Sequence, residues 1–180
     1  MTISGQNLTS QNLGQILTAN SAIDLNMNGT VTLDAAVSSG GGSFESDGTT
    51  FSNSQSIDTD GGTVTLNHSG AVTFSGTVDS SGGTGTVSVN GSSTVDIDNT
   101  ITSGTGGFSI ADTAGTVSLN GAITTGSGGD LSFGANPIVV ESSKTIEAGG
   151  SGNITFGSTL DGDGDADTLT ITSGTGTVTA

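Results

Sequence analysis

Apolar residues fall along this chain in short runs of period two, and the runs themselves recur about every twenty-one residues behind glycine-rich gaps. In Thr63-Val64-Thr65-Leu66, Thr86-Val87-Ser88-Val89, Thr94-Val95-Asp96-Ile97 and Thr116-Val117-Ser118-Leu119, apolar and small polar residues alternate. That is the pattern of a strand with one buried face. β-Branched residues dominate the runs, and Gly, Ser, Asn or Asp soon interrupts each of them, which leaves no stretch long enough for a helix.

Three columns of apolar positions run in phase. The first is Phe44, Val64, Val87, Phe108, Leu131 and Ile154; the second is Val31, Phe51, Val72, Val95, Val117 and Ile138; the third is Val37, Ile57, Val78, Ile101, Ile123 and Ile146. Spacings of 20 to 23 residues in all three mark one repeating unit. Three short strands per unit, with glycine turns between them, predict an all-β fold in which each unit is one coil of a parallel β-helix, a solenoid.

In such a coil no apolar face can bury itself. Coils stack at roughly 4.8 Å, like side chains pile on like, and about three or more are needed before the array holds. About eight coils would make a rod on the order of 40 Å long. Leu, Ile, Val and Phe together make little more than a fifth of the chain, close to the level of roughly 20% at which disorder sets in. The six Phe, at 44, 51, 74, 108, 133 and 156, fall on the strand beat and argue for the packed state.

No stretch changes composition enough to mark a linker, so one repetitive domain fills residues 21–180. Residues 1–20 lack the glycine beat but carry Leu8, Leu13, Ile16 and Leu17, and are expected to form a cap or an irregular first coil. The far end, Thr177-Val178-Thr179-Ala180, stops within a strand pattern, which suggests that the natural chain continues or that ends pair with other copies.

The formal net charge of −16, with Lys144 the single basic Lys or Arg, disfavours nucleic acid and anionic lipid as partners, because phosphate contacts need cationic side chains. The acids serve solubility and mutual repulsion of neighbouring rods. There is no cysteine, hence neither a disulfide framework nor a thiolate metal site. The opening Met1-Thr-Ile-Ser-Gly-Gln has no signal-peptide character, and no run is long and apolar enough for membrane insertion. If the protein is exported, this chain is an excised piece with Met1 added as initiator.

Gly62-Thr-Val-Thr-Leu-Asn67, Val72-Thr-Phe-Ser-Gly-Thr-Val-Asp79, Gly115-Thr-Val-Ser-Leu-Asn-Gly-Ala-Ile-Thr124 and Ile154-Thr-Phe-Gly-Ser-Thr-Leu-Asp161 resemble the repeats of filamentous-haemagglutinin-like and other giant bacterial surface adhesins. The resemblance covers roughly residues 21–180. It implies a right-handed parallel β-helix acting as spacer and adhesive surface, secreted to the bacterial cell surface or into an extracellular fibre or biofilm. Its implied partners are other copies or adjoining repeats end to end, and host or cell-surface glycans or proteins. The secretion domain that such proteins carry at their N-terminus is not recognisable here.

Two registers compete near the C-terminal end. Constant period puts Ile154-Thr-Phe156 in the first column, whereas local similarity of Phe156-Gly-Ser-Thr-Leu160-Asp161 to Phe74-Ser-Gly-Thr-Val78-Asp79 puts it in the second and sets Leu169-Thr-Ile171 level with Val87-Ser-Val89. Pro137 lies where the readings part, and an irregular coil is expected near 134–150.

The most suggestive chemistry is Asp161-Gly-Asp163-Gly-Asp165-Ala-Asp167. Alternate carboxylates can wrap a hard cation, and the run matches the first half of a D-x-D-x-D calcium loop without its glycine or bidentate Glu. Aligned by similarity on Asp79–Thr86, it reads first as a solvated turn of unchanged length, with calcium as the alternative and no other cofactor implied. Mutual repulsion of four acids is what favours the metal.

Catalysis is not expected. Asp96 and Asp98 face outward from one strand, Asp58, Asp60 and Asp79 sit near turns, and none has an Arg partner; without Tyr or Trp no aromatic platform exists for sugar rings. His68, in Leu66-Asn-His-Ser-Gly70, reads as a surface turn residue. Outward T-x-T pairs at Thr30, Thr32, Thr63, Thr65, Thr168, Thr170 and Thr172 raise an ice- or surface-binding alternative, weakened because other coils carry Ser, Asp or Asn there. The reading favoured is a structural stalk whose function lies in length, stiffness and repetition.

Overall fold

The computed structural model describes residues 1–111 and 115–180. Among them every regular element is a strand, and the strands form three parallel sheets of nine, eight and eight members. Successive strands join the first, second and third sheet in turn, so that each coil adds one strand to each, through about eight turns. The all-β solenoid with three strands per coil is therefore the fold.

Strand pairing reproduces the three columns. In the first sheet Phe44 lies opposite Val64, Val64 opposite Val87, Val87 opposite Phe108, Phe108 opposite Leu131 and Leu131 opposite Ile154. The second sheet stacks Val31 on Phe51, Val72, Val95, Val117 and Ile138, and the third stacks Val37 on Ile57, Val78, Ile101, Ile123 and Ile146. All of these are buried and form one continuous core. Aromatic rings run through it, with Phe51 and Phe74 at 6.2 Å, Phe108 and Phe133 at 5.9 Å, and Phe133 stacked flat on Phe156 at 5.4 Å. Such contacts add to the free energy of burial itself.

Residues 1–20 build three strands, Thr2–Gly5, Leu8–Thr9 and Gln15–Leu17, which pair in register with the following coil. Leu8 lies opposite Val31 and Ile16 opposite Val37, whereas Leu13 and Leu17 point to solvent, 54% and 65% exposed.

Hydroxyls of Ser and Thr, buried at Ser39, Thr59 and Thr125 and half-buried at Ser173, hold the corner between third and first sheets. Thr59 Oγ1 donates to Gly62 O (2.6 Å), Thr125 Oγ1 to Gly129 O (2.6 Å), Ser173 Oγ to Gly176 O (3.1 Å), and Ser39 Oγ to Gly42 O. A carbonyl turned inward at a tight corner would otherwise be left unpaired, at a cost of about 1–3 kcal/mol. Repetition of Ser/Thr ahead of glycine in the sequence has this cause.

The register near 134–160 follows constant period. Ile154 pairs with Leu131, Leu160 with Ile138, and Ile171 with Ile146, so Leu169-Thr-Ile171 belongs to the third sheet and is not level with Val87-Ser-Val89. Of the irregular coil expected at 134–150, the strand Ile138–Val140 pairs with Val117–Leu119 without a slip, whereas the corner after it is longer, eight residues from Ile138 to Ile146 against six from Val117 to Ile123. Pro137 fits because Val117 N–H donates to its carbonyl (2.9 Å), as Val95 N–H does to Thr116 O and Val72 N–H to Thr94 O. Proline keeps that acceptor and precedes the strand.

Candidate functional site

Corner length is where the coils differ. From second to third column the chain takes six residues, Val72 to Val78, Val95 to Ile101 or Val117 to Ile123, eight from Leu8 to Ile16 and from Ile138 to Ile146, and eleven from Leu160 to Ile171. The four acids Asp161, Asp163, Asp165 and Asp167 occupy this enlarged corner. Their alignment on Asp79–Thr86 was misleading, because those residues cross from the third sheet to the first; the acidic run is an insertion and not a turn of unchanged size.

Within it, Asp161 Oδ1 accepts from Gly162 N–H (2.9 Å) and Asp163 Oδ1 from Asp165 N–H (3.0 Å), while Asp167 Oδ1 accepts from Ser143 Oγ (3.4 Å). Ser143 in turn receives Thr168 N–H (3.0 Å). The coil below thus supports the end of the loop and leaves the carboxylates in solvent. Among the described residues no three His, Cys, Asp or Glu side chains converge on a point where a metal ion would sit. Beside the corner, Ser143, Lys144, Thr145, Thr168 and Thr170 with Ala122 line a shallow open groove of about 290 Å³.

The other acids are dispersed on the outer surface. Asp58 stands opposite Asp79 on adjacent coils and Asp24 opposite Glu45. Asp58 and Asp79 each turn an oxygen back to the chain, accepting from Asp60 N–H (3.0 Å) and Ser81 N–H (2.9 Å). Asp96 and Asp98 accept hydroxyls of Thr73 and Ser75 from the preceding coil. On the outer face of the first sheet, Thr65, Ser88, Ser109, Ser132, Thr155 and Thr179 follow one another as an uncharged hydroxyl rank. Thr30 and Thr50 hydroxyls bond across coils at 3.0 Å.

His68 is not a surface turn residue. It ends the strand Val64–His68, is 1% exposed, and faces inward because alternation carries the buried side from Val64 through Leu66 to 68. Met27, closing Ile23–Met27 in the same way, is buried at the equivalent place two coils earlier. Nε2 lies 3.1 Å from Ser46 Oγ, the Phe51 ring centroid is 5.4 Å away, and Nδ1 is buried with no hydrogen-bond partner. Burial lowers its pKa to about 4, against the opposing pull of the Asp47 carboxylate and a hydrogen bond at Ser46. A neutral imidazole is the form this environment holds. The signal was in the sequence: His68 prolongs a period-two run, and the turn residues Ser69-Gly70 come only after it.

Among the described residues no helix is long and apolar enough to cross a membrane. No protein-family model, curated protein or solved structure matches the chain.

Proposed function

We propose that this chain is a stalk segment of a secreted bacterial surface fibre or extracellular filament, a spacer without catalysis, with a surface that adheres to neighbouring copies or to cell-surface glycans or proteins. The observation that supports it most is the unbroken register of all three sheets from the first coil to the last. Each coil rests only on its neighbours, so the arrangement transmits force and sets distance by repetition. The uncharged hydroxyl rank of the first sheet is the surface on which adhesion to a hydrated polymer would occur. Electron microscopy of the purified chain at rising concentration tests the reading. Stiff rods with a width independent of concentration, joining end to end as it rises, agree with it; irregular or globular particles would overturn it.

The enlarged acidic corner favours a second reading, a calcium-stiffened solenoid, because it is an addition absent from coils two to six. Asp161, Asp163, Asp165 and Asp167 would supply hard oxygen ligands of the kind calcium takes. Calcium should then raise the melting temperature of the wild type and leave Asp163→Asn/Asp165→Asn unmoved; equal melting curves with and without calcium rule it out.

A further inference from the structure

We propose that the coils carrying Phe44–Gly48 and Val64–His68 meet at an acid-sensitive seam that loosens when His68 takes up a proton. The ring is packed inside the solenoid between two coils that give it room. Below it stands Gly48, its register partner, where an added Cβ would come within 3.1 Å of His68 Cε1 and 3.2 Å of Nδ1. Above it, one residue past the Asn67 and Asn90 pair, comes Gly91. Ser46 takes a place filled by Leu25, Leu66 and Val89 in neighbouring coils, and among the described residues its hydroxyl is the polar contact of the ring, at Nε2.

In the imidazolium both ring nitrogens carry a proton, and Nδ1 is a buried nitrogen with no acceptor, beside the Phe51 ring. Charged groups near it come from one element alone. Glu45 and Asp47 on Phe44–Gly48 both lie on the outer face, where they already accept from Asn67 Nδ2 at 3.2 and 2.8 Å. The strands Phe51–Asn53, Val72–Phe74 and Thr86–Asn90 bring no titratable side chain. The imidazolium would therefore be a buried cation without a buried anion, a state favouring exposure of the ring.

The direction follows from linkage. In the unfolded chain His68 titrates near its ordinary 6.5, and in the folded chain near 4. Between these values the unfolded state binds more protons, so stability is complete at neutral pH, falls as pH drops through 6.5, and flattens below 4. Each pH unit within that window costs up to about tenfold in the folded-to-unfolded ratio.

The chain has one histidine, which makes the test clean. Urea unfolding followed by far-UV circular dichroism at about pH 7 and about pH 4.5 would be compared for the wild type, His68→Met, chosen because Met27 already fills this place in the second coil, and His68→Gln. Titration of the carboxylates is common to all three chains. The wild type is expected to lose on the order of a hundredfold more in folding equilibrium constant than either variant over this interval. Its single imidazole Cε1 proton signal should keep the neutral shift down to about pH 5 while the chain is folded. Parallel loss in wild type and variants, or an imidazole midpoint near 6.5 in the folded protein, would overturn the proposal. If His68→Met fails to fold, His68→Gln and the wild-type proton titration still decide it.

Discussion

Replacing Phe133 by alanine should divide the solenoid into halves of unequal stability. Phe133 is fully buried two residues past Leu131, as Ile110 is two past Phe108, and its ring bridges Phe108 at 5.9 Å and Phe156 at 5.4 Å. Truncation of a buried Phe costs about 3–5 kcal/mol through lost transfer energy and the cavity left behind. The rigid neighbours on both sides place this site toward the upper end, since parallel ladders above and below keep the gap from collapsing. A chain of this length has a total stability on the order of 10–25 kcal/mol. In a globular domain the loss would be spread over one cooperative transition. Here each coil touches only its neighbours, so it concentrates on the interfaces of the coil that begins at Leu131. The coils from 131 to 180 should unfold at lower urea than those before them, giving a biphasic transition by circular dichroism. Amide exchange should be faster in Ile154–Thr155 and Leu169–Thr172 while Val64–His68 keeps its protection. Phe133→Leu is the control, expected to cost clearly less than the alanine variant because it leaves a smaller cavity, Leu66 filling the equivalent rank in an earlier coil. A loss below about 1 kcal/mol for the alanine variant, or acceleration spread evenly over all coils, would refute the stacked-rank reasoning.

Two further outcomes follow from the backbone and surface. Gly61, at φ 90°, has the carbonyl oxygen of Gly82 where its Cβ would stand, whereas Gly83 at φ 73° faces open space. Gly61→Ala should therefore cost several kcal/mol by chemical denaturation, and Gly83→Ala only about 1–2 kcal/mol for the left-handed backbone; equal costs would deny the tight contact between corners. Asp58→Asn or Asp79→Asn removes one of two carboxylates stacked on adjacent coils, and should stabilise by about 0.2–1 kcal/mol at low salt, a gain that fades as salt rises. Thermal melts in low and high sodium chloride check it, and a salt-independent change would place its cause outside electrostatics.

The columns of Val, Ile, Leu and Phe were legible because the same interior must be filled at every turn, so the period survives where individual residues vary. Errors came from the corners. Phe156-Gly-Ser-Thr-Leu160-Asp161 imitates Phe74-Ser-Gly-Thr-Val78-Asp79, yet one crosses from the first sheet to the second and the other from the second to the third. Every corner needs small residues between two inward apolar ones, so similarity there cannot tell one corner from another. The placement of Asp161 to Asp167 inherited that ambiguity. His68 was misplaced for another reason: its polarity and the nearby Ser69-Gly70 outweighed an alternation that had already assigned it to the inside. Pro137 suggested a break where the ladder needs only a carbonyl.

The unequal corners leave the sheets in step from end to end. Extra residues can bulge outward at the corners between sheets without disturbing the hydrogen-bonded walls, whereas a one-residue slip within a wall would turn the inside out. A molecule built this way is free to lengthen by copying whole turns and to diversify at its edges, which separates how far it reaches from what it carries along its flanks.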